Sequence, residues 1–237
     1  MKDLNDLSKK IIDQILPVDI VPLVYIVTGP EEINLDIKPE KKIFYGIYLQ
    51  DTVDFLTWRN SKKDSFVNSF IEEDCLVDVY SFEWLKFLED FWNGEQYTFD
   101  VIFMSRIHSV LEMDEIMPLL QKASHKGIYF NLLEKLTAGS NQEYLSYDYI
   151  KYLIYRIAQV KHFLLTTEFE WDWEGLKGSV DDLLRVLSSS LNIRNDLLNY
   201  VLDMKSLLKN SPLPERPPEN KIDKIDRKIA KLRLVYS

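Results

Sequence analysis

A short apolar run, Leu23-Val24-Tyr25-Ile26-Val27-Thr28, ends abruptly at Gly29-Pro30. That junction constrains the fold more than any other part of the chain. Apolar and β-branched residues in such a run read as a buried strand, and the Gly-Pro pair forces a turn. A polar stretch with Glu31, Glu32, Asp36, Lys38, Glu40, Lys41 and Lys42 follows. The next strand, Ile43 to Leu49, holds Phe44, Tyr45, Tyr48 and Gly46. Asp51 to Trp58 reads as a third strand turning back, and residues 60–74 as polar and partly helical. Cys75 to Tyr80 is again a strand, in which alternation places Leu76, Asp78 and Tyr80 on one face and Val77 and Val79 on the other. Phe82 to Trp92 is a helix with Leu85, Leu88 and Trp92 at helical spacing, and Asn93-Gly94 stops it. Tyr97 to Phe103 is expected to return as a strand or extended segment.

After about residue 105 the period changes. Leu111 to Ala123, Tyr129 to Leu136, Tyr147 to Leu165, Val180 to Leu191 and Arg194 to Leu208 read as helices, with Ile150, Leu153, Ile154, Ile157 and Val160 making one apolar face. An acidic, aromatic connector, Glu168-Phe169-Glu170-Trp171-Asp172-Trp173, divides the third from the fourth. Ser211-Pro212-Leu213-Pro214-Glu215-Arg216-Pro217-Pro218 is an extended linker, because repeated X-Pro steps disfavour helix. A last helix over 219–234 aligns Ile222, Ile225, Ile229 and Leu232. Residues 2–16 form another amphipathic helix, on Leu4, Leu7, Ile11 and Ile15.

The chain of 237 residues is 46% hydrophobic, enough for a substantial core. Its net charge of -9 gives it no general attraction for phosphate backbones. The strongest basic cluster is the last helix, with Lys221, Lys224, Arg227, Lys228, Lys231 and Arg233, diluted by Asp223 and Asp226. A single cysteine, Cys75, excludes an intrachain disulfide and a multi-cysteine zinc site, and reads as a buried thiol at a strand start. No apolar run is long enough for a membrane span, and charges from Lys2 to Lys10 interrupt any signal-peptide core. A cytoplasmic protein is expected.

Few residue patterns carry chemistry. His108, His125 and His162 do not pair at metal spacing, and Ser140 and Ser146 lack a nucleophile-elbow pattern. Asp172 and Glu174, beside Trp171 and Trp173, read as a solvated turn or the lining of a groove. Transfer of a nucleotide needs a small-residue turn whose N–H groups cradle phosphates. It also needs carboxylates spaced by two on a strand, with a third on a neighbouring strand, to hold two Mg²⁺ ions. Thr28-Gly29-Pro30 stands where such a cradle belongs, although Pro30 has no N–H; an ordinary turn reads equally well. Where the paired carboxylates belong stand Lys41 and Ile43. Glu40 is nearby, and an earlier register gives Asp36 followed by Lys38. Asp78 suits the third position; a half-exposed strand aspartate is its plainer reading.

Five places together resemble predicted nucleotidyltransferases of the DNA polymerase β superfamily, the YcgL type common in bacteria and phages. They are Thr28-Gly29-Pro30; Tyr45-Gly46-Ile47-Tyr48-Leu49; Asp78-Val79-Tyr80-Ser81-Phe82 with Trp84-Leu85; Asn93-Gly94 with Phe99-Asp100-Val101-Ile102-Phe103; and Ser211-Pro212-Leu213-Pro214-Glu215-Arg216-Pro217. The helix bearing Arg156 matches the family's arginine-bearing helix more loosely. The similarity spans about residues 23 to 235, and its departures fall on the catalytic motif: Pro30 for serine, Lys41 and Ile43 for the paired aspartates.

The resemblance implies an α+β chain: a nucleotidyltransferase-like mixed sheet with helices over 1–105, then an all-helical domain over 106–237 with the Pro-rich linker 211–218 and a terminal helix. The expected function is that of a catalytically degenerate member, a pseudoenzyme binding a nucleotide, nucleic acid such as RNA, or a protein partner. The alternative is a divergent Mg-dependent enzyme moving a nucleotide from an NTP to RNA, protein or a small acceptor. Its catalytic candidates are Asp78, Asp36 and Glu40, with Asp78 and Asp36 as metal ligands; the nucleotide-binding candidates are Thr28, Gly29, Lys41 and Arg156. A structural oligomer module, built on the many tyrosines and tryptophans, is the third reading.

Overall fold

The computed structural model describes residues 9, 11, 20–28, 41–50, 65–72, 75–104, 108–140, 147–166, 173–188 and 193–236. The strands are β1 (Ile20–Thr28), β2 (Lys41–Gln50), β3 (Ser65–Glu72), β4 (Cys75–Glu83) and the two-residue β5 (His108–Ser109). They form one mixed sheet in the order β3-β4-β2-β1-β5. β2 and β4 are parallel, whereas β1 runs antiparallel to both β2 and β5, and β3 antiparallel to β4. The helices are α1 (Trp84–Trp92), α2 (Gln96–Phe103), α3 (Met113–Ala123), α4 (Lys126–Ser140), α5 (Tyr147–Thr166), α6 (Trp173–Ser188), α7 (Ile193–Asn210) and α8 (Glu219–Tyr236). The chain is thus α+β, a five-stranded mixed sheet with helices followed by a mostly helical C-terminal region. The expected N-terminal helix and the expected strand 51–58 lie outside the described residues, apart from residues 9 and 11.

The sheet is apolar on both faces. On one, Tyr25, Val27, Phe44, Val77 and Val79 pack with Ile11. On the other, Val24, Ile26, Ile47 and Leu49 join a cluster that continues through every helix, from Phe87 and Ile102 to Tyr129, Ile157, Leu183, Val201 and Leu232. This single core crosses residue 105.

Four local expectations need correction. Ser65–Glu72 is a strand and not part of a helix. Phe66 and Phe70 pack on the face of Tyr25 and Phe44, whereas Ser65, Val67, Ser69 and Ile71 lie on the other face and are exposed at this edge of the sheet, a period of two. Gln96–Phe103 is a helix and not an extended segment. Its residues Thr98 to Ile102 are all buried, so a continuous apolar run gave no periodicity by which to separate the two states. In α1 the buried side chains are Trp84, Phe87 and Phe91, while Leu85 is 50% exposed. The expected face was therefore one residue out of register. Cys75 does start β4, but its side chain is only half-buried.

Two glycines fix the packing. Gly46 faces Tyr25 across the β1–β2 ladder, and a Cβ there would lie 2.0 Å from the Tyr25 ring. Only a bare Cα lets that ring lie over β2 and reach Ser81, whose Oγ is 2.9 Å from the Tyr25 hydroxyl. Gly94 has φ +68, and its Cβ would come within 2.6 Å of the Ile128 carbonyl. It ends α1 with the Gly94 N–H donating to Phe91 O and the Glu95 N–H to Asp90 O, a left-handed helix stop.

The basic terminal helix is docked. Ile225, Ile229 and Leu232 are buried, and α8 packs against α3. Lys228 pairs with Glu115. Arg233 Nη2 lies 2.7 Å from Glu83 Oε1, with Glu83 buried and Arg233 partly so. Glu83 Oε2 accepts the Leu85 N–H at 2.6 Å, so one carboxylate caps α1 and anchors α8.

Two substitutions test this packing by urea unfolding. Gly46→Ala is expected to cost about 1–3 kcal/mol by overpacking against Tyr25; an unchanged midpoint would show that the ring has room to move. Arg233→Ala is expected to cost about 3–5 kcal/mol, because it leaves Glu83 buried without its cation. Arg233→Ala should also speed proteolysis within α8; cleavage at the wild-type rate would mean that the apolar stripe alone holds the helix.

Candidate functional site

Strand register puts four residues in one row across the helix-covered face of the sheet. Thr28 pairs with Ile43, Ile43 with Asp78, and Asp78 with Ser69. The next row on this face is Ile26, Tyr45, Tyr80 and Val67. Thr28 and Asp78 therefore share a face but stand two strands apart, roughly 10 Å along the hydrogen-bonding direction.

Asp78 is buried. Its Oδ1 accepts a 2.6 Å hydrogen bond from the Ser69 hydroxyl, and the Tyr80 hydroxyl stands 3.5 Å from Oδ2. Its neighbour across the parallel ladder, Ile43, has no ligating atom. Lys41 lies on β2. Gly29, Asp36 and Glu40 lie outside the described residues. Among the described residues no group of three or more His, Cys, Asp or Glu side chains gathers at metal-binding distance. A two-metal clamp needs several carboxylates, so the described part of this row does not fit one.

The other polar centre begins at Thr28, at the end of β1. Its hydroxyl donates to Asp100 Oδ2 on α2 at 3.4 Å. Arg156, from α5, grips the same carboxylate with both terminal nitrogens. Nη1 is 2.6 Å from Oδ1 and Nη2 is 2.7 Å from Oδ2, with both side chains buried. The guanidinium also donates from Nη1 to Gln159 Oε1 at 2.9 Å and from Nη2 to the Tyr152 hydroxyl at 3.3 Å. Gln159 in turn donates to the Tyr155 hydroxyl, and Gln96 to that of Tyr152. The rings of Tyr152 and Tyr155 flank the guanidinium carbon at 5.1 and 5.6 Å. Residues 152, 155, 156 and 159 occupy one face of α5 because helical neighbours recur at three and four.

Electrostatics follow from this enclosure. Burial pushes the Asp100 carboxyl up, and the Arg156 guanidinium and its hydrogen bonds, with that of Thr28, pull it back. Burial works against the Arg156 charge, but Asp100 and the surrounding hydroxyls more than offset it, so the pKa of Arg156 rises. Beside this pair the half-buried rings of Tyr45, Phe82 and Tyr97 stack, with Phe82 and Tyr97 4.2 Å apart between centroids. Tyr45 is raised, first by burial and then by the charge of Asp100.

The structure thus brings together two of the sequence candidates, Thr28 and Arg156, and leaves Asp78 apart with Ser69. The residue that joins the first two, Asp100, was not a candidate. Its signal was present as an acidic residue inside the apolar run Phe99-Asp100-Val101-Ile102-Phe103. A charge in such a run demands a buried partner, but no sequence rule names one 56 residues away.

No protein-family profile matches the chain, and no curated protein matches it. Among solved structures it is similar to a nucleotidyltransferase-like protein from Exiguobacterium sibiricum, at 9% identity and a TM-score of 0.38. The likeness covers 88% of this chain and 75% of that one.

The Asp100–Arg156 pair makes a direct prediction. Arg156→Met is expected to destabilise the fold by about 3–5 kcal/mol, since it leaves a buried carboxylate without its cation. Asp100→Leu combined with Arg156→Met should recover most of that loss in a urea double-mutant cycle. Additive losses would show that the two residues do not act as a pair.

Proposed function

We propose that this chain is a nucleotidyltransferase-type protein of the DNA polymerase β superfamily, similar to the YcgL type, that has lost transfer chemistry and acts by binding a nucleotide. One observation carries the reading: Ile43 stands in register beside Asp78, where a metal-holding partner carboxylate belongs. Without paired carboxylates the charge developing on the transferred phosphoryl group loses most of its stabilisation. The nucleotide would lie on the sheet face beside the half-buried rings of Tyr45, Tyr80 and Tyr97, aromatic partners for a base. Arg156 acts there as a positioning residue: its guanidinium is engaged by Asp100 and holds α5 and α2 against the end of β1.

The alternative is a divergent Mg-dependent nucleotidyltransferase built on Asp78 with Asp36 or Glu40. The place of Asp78 on the helix-covered face of the sheet favours it. Isothermal titration of ATP, GTP, CTP and UTP, each with and without Mg²⁺, separates the two. The binding reading expects one nucleotide to bind without a requirement for Mg²⁺ and to keep its affinity in Asp78→Ala. Affinity that needs Mg²⁺ and falls more than about tenfold in Asp78→Ala would establish a working clamp. No binding under any condition removes the nucleotide, leaving RNA or a protein as the ligand of this face.

A further inference from the structure

Away from the sheet face, α1, α4 and α7 line an open cavity of ≈ 510 Å³. Its size lies within the roughly 300–1,000 Å³ range of small-molecule sites. Two sequence motifs with no part in the sheet-face site build it. Asn93-Gly94 ends α1 at close approach to the α4 backbone, which sets Trp92 in the wall, and Asn131 Nδ2 donates to Trp92 O at 3.4 Å. Glu215 of the Ser211–Pro217 segment also lines it. There the Pro214 carbonyl accepts the Lys126 N–H at 2.9 Å, and Glu215 Oε1 meets Lys126 Nζ at 2.8 Å. The Pro-rich stretch is thus tied to the start of α4.

The lining divides into rings and cations. Trp92 and His125 lie with centroids 5.9 Å apart, and Phe130 is 48% exposed. Lys126, Lys205 and Lys209 face the same space, against one acid, Glu215. Lys205 Nζ lies 5.5 Å from the Phe130 ring centroid. Two of these lysines have carboxylate partners, but those partners are surface groups: Glu215 and Glu134 are 79% and 51% exposed. Exposed pairs of this kind hold weakly, so a ligand anion can take over the ammonium groups at small cost. Lys126 also opens α4, where the helix dipole favours negative charge.

We propose that this cavity binds a nucleoside monophosphate, with the base against Trp92 and Phe130 and the phosphate held by Lys205, Lys209 and Lys126. A planar ring bearing one phosphate matches both halves of the lining, whereas a bare anion uses only the lysines and an apolar ligand only the rings. The site is independent of the sheet face: a nucleotide bound there answers to Tyr45, one bound here to Lys205 and Lys209.

Isothermal titration of AMP, GMP, CMP and UMP into the full chain, with inorganic phosphate as a separate titrant, tests it. At least one monophosphate is expected to bind more tightly than inorganic phosphate. Lys205→Ala with Lys209→Ala should weaken it by about tenfold or more, as expected for losing charge-assisted hydrogen bonds. Phe130→Ala should also weaken it, and Lys224→Ala, which removes an equal charge from exposed α8, should not. All three lysines are at the surface or half-buried, and circular dichroism confirms folding of each variant. The proposal is overturned if no monophosphate binds, if inorganic phosphate binds as tightly, or if the double lysine variant retains wild-type affinity. Loss of triphosphate binding in that same variant would move the nucleotide of the sheet-face reading to this cavity.

Discussion

Arg156 and Asp100 are ionised groups almost entirely removed from water. Neither can be left alone there, because an unpaired buried charge costs several kcal/mol. The pair therefore holds a fixed geometry: both terminal guanidinium nitrogens on one carboxylate, with a glutamine and a tyrosine hydroxyl taking further N–H donors. Its members come from α5 and α2, and Thr28 adds the end of β1. Three segments distant in sequence are thus held at one point. The tyrosines flanking the guanidinium shield it from solvent and strengthen the attraction by keeping the local dielectric low.

The sheet face beside this point is decided by register. With β2 and β4 parallel, Ile43 and Asp78 are neighbours, and the Asp78 carboxylate is satisfied by hydroxyl donors from Ser69 and Tyr80. The same register sets Gly46 under the Tyr25 ring on the opposite face. A glycine that reads in sequence as part of a functional motif is here held by packing.

The helical half follows a similar economy. Glu83 both caps α1 and receives Arg233 from α8, and Lys126 receives both the Pro214 carbonyl at its N–H and Glu215 at its ammonium. The C-terminal segments thus close over the first helices. This leaves the cavity beside Trp92 as a second concave, cationic surface, separate from the sheet.

Much of the architecture was legible along the chain. The alternation in Cys75–Tyr80, the strand before Gly29-Pro30 and the apolar faces of α5 and α8 follow from local periodicity, which the backbone geometry imposes within a few residues. Residues 65–72 and 96–103 were misread, because a half-exposed edge strand looks polar and a fully buried short helix shows no period. Thr28, Asp78 and Arg156 could be named as residue types in suggestive places. What they do was set by contacts spanning 72, 9 and 56 residues. Sequence alone determined strands and helices where apolar residues mark a face strongly, as in α5 and α8. Only the tertiary structure decided that Arg156 is neutralised by Asp100 and that Ile43 lies beside Asp78, because charge pairing and strand register depend on which distant segments meet.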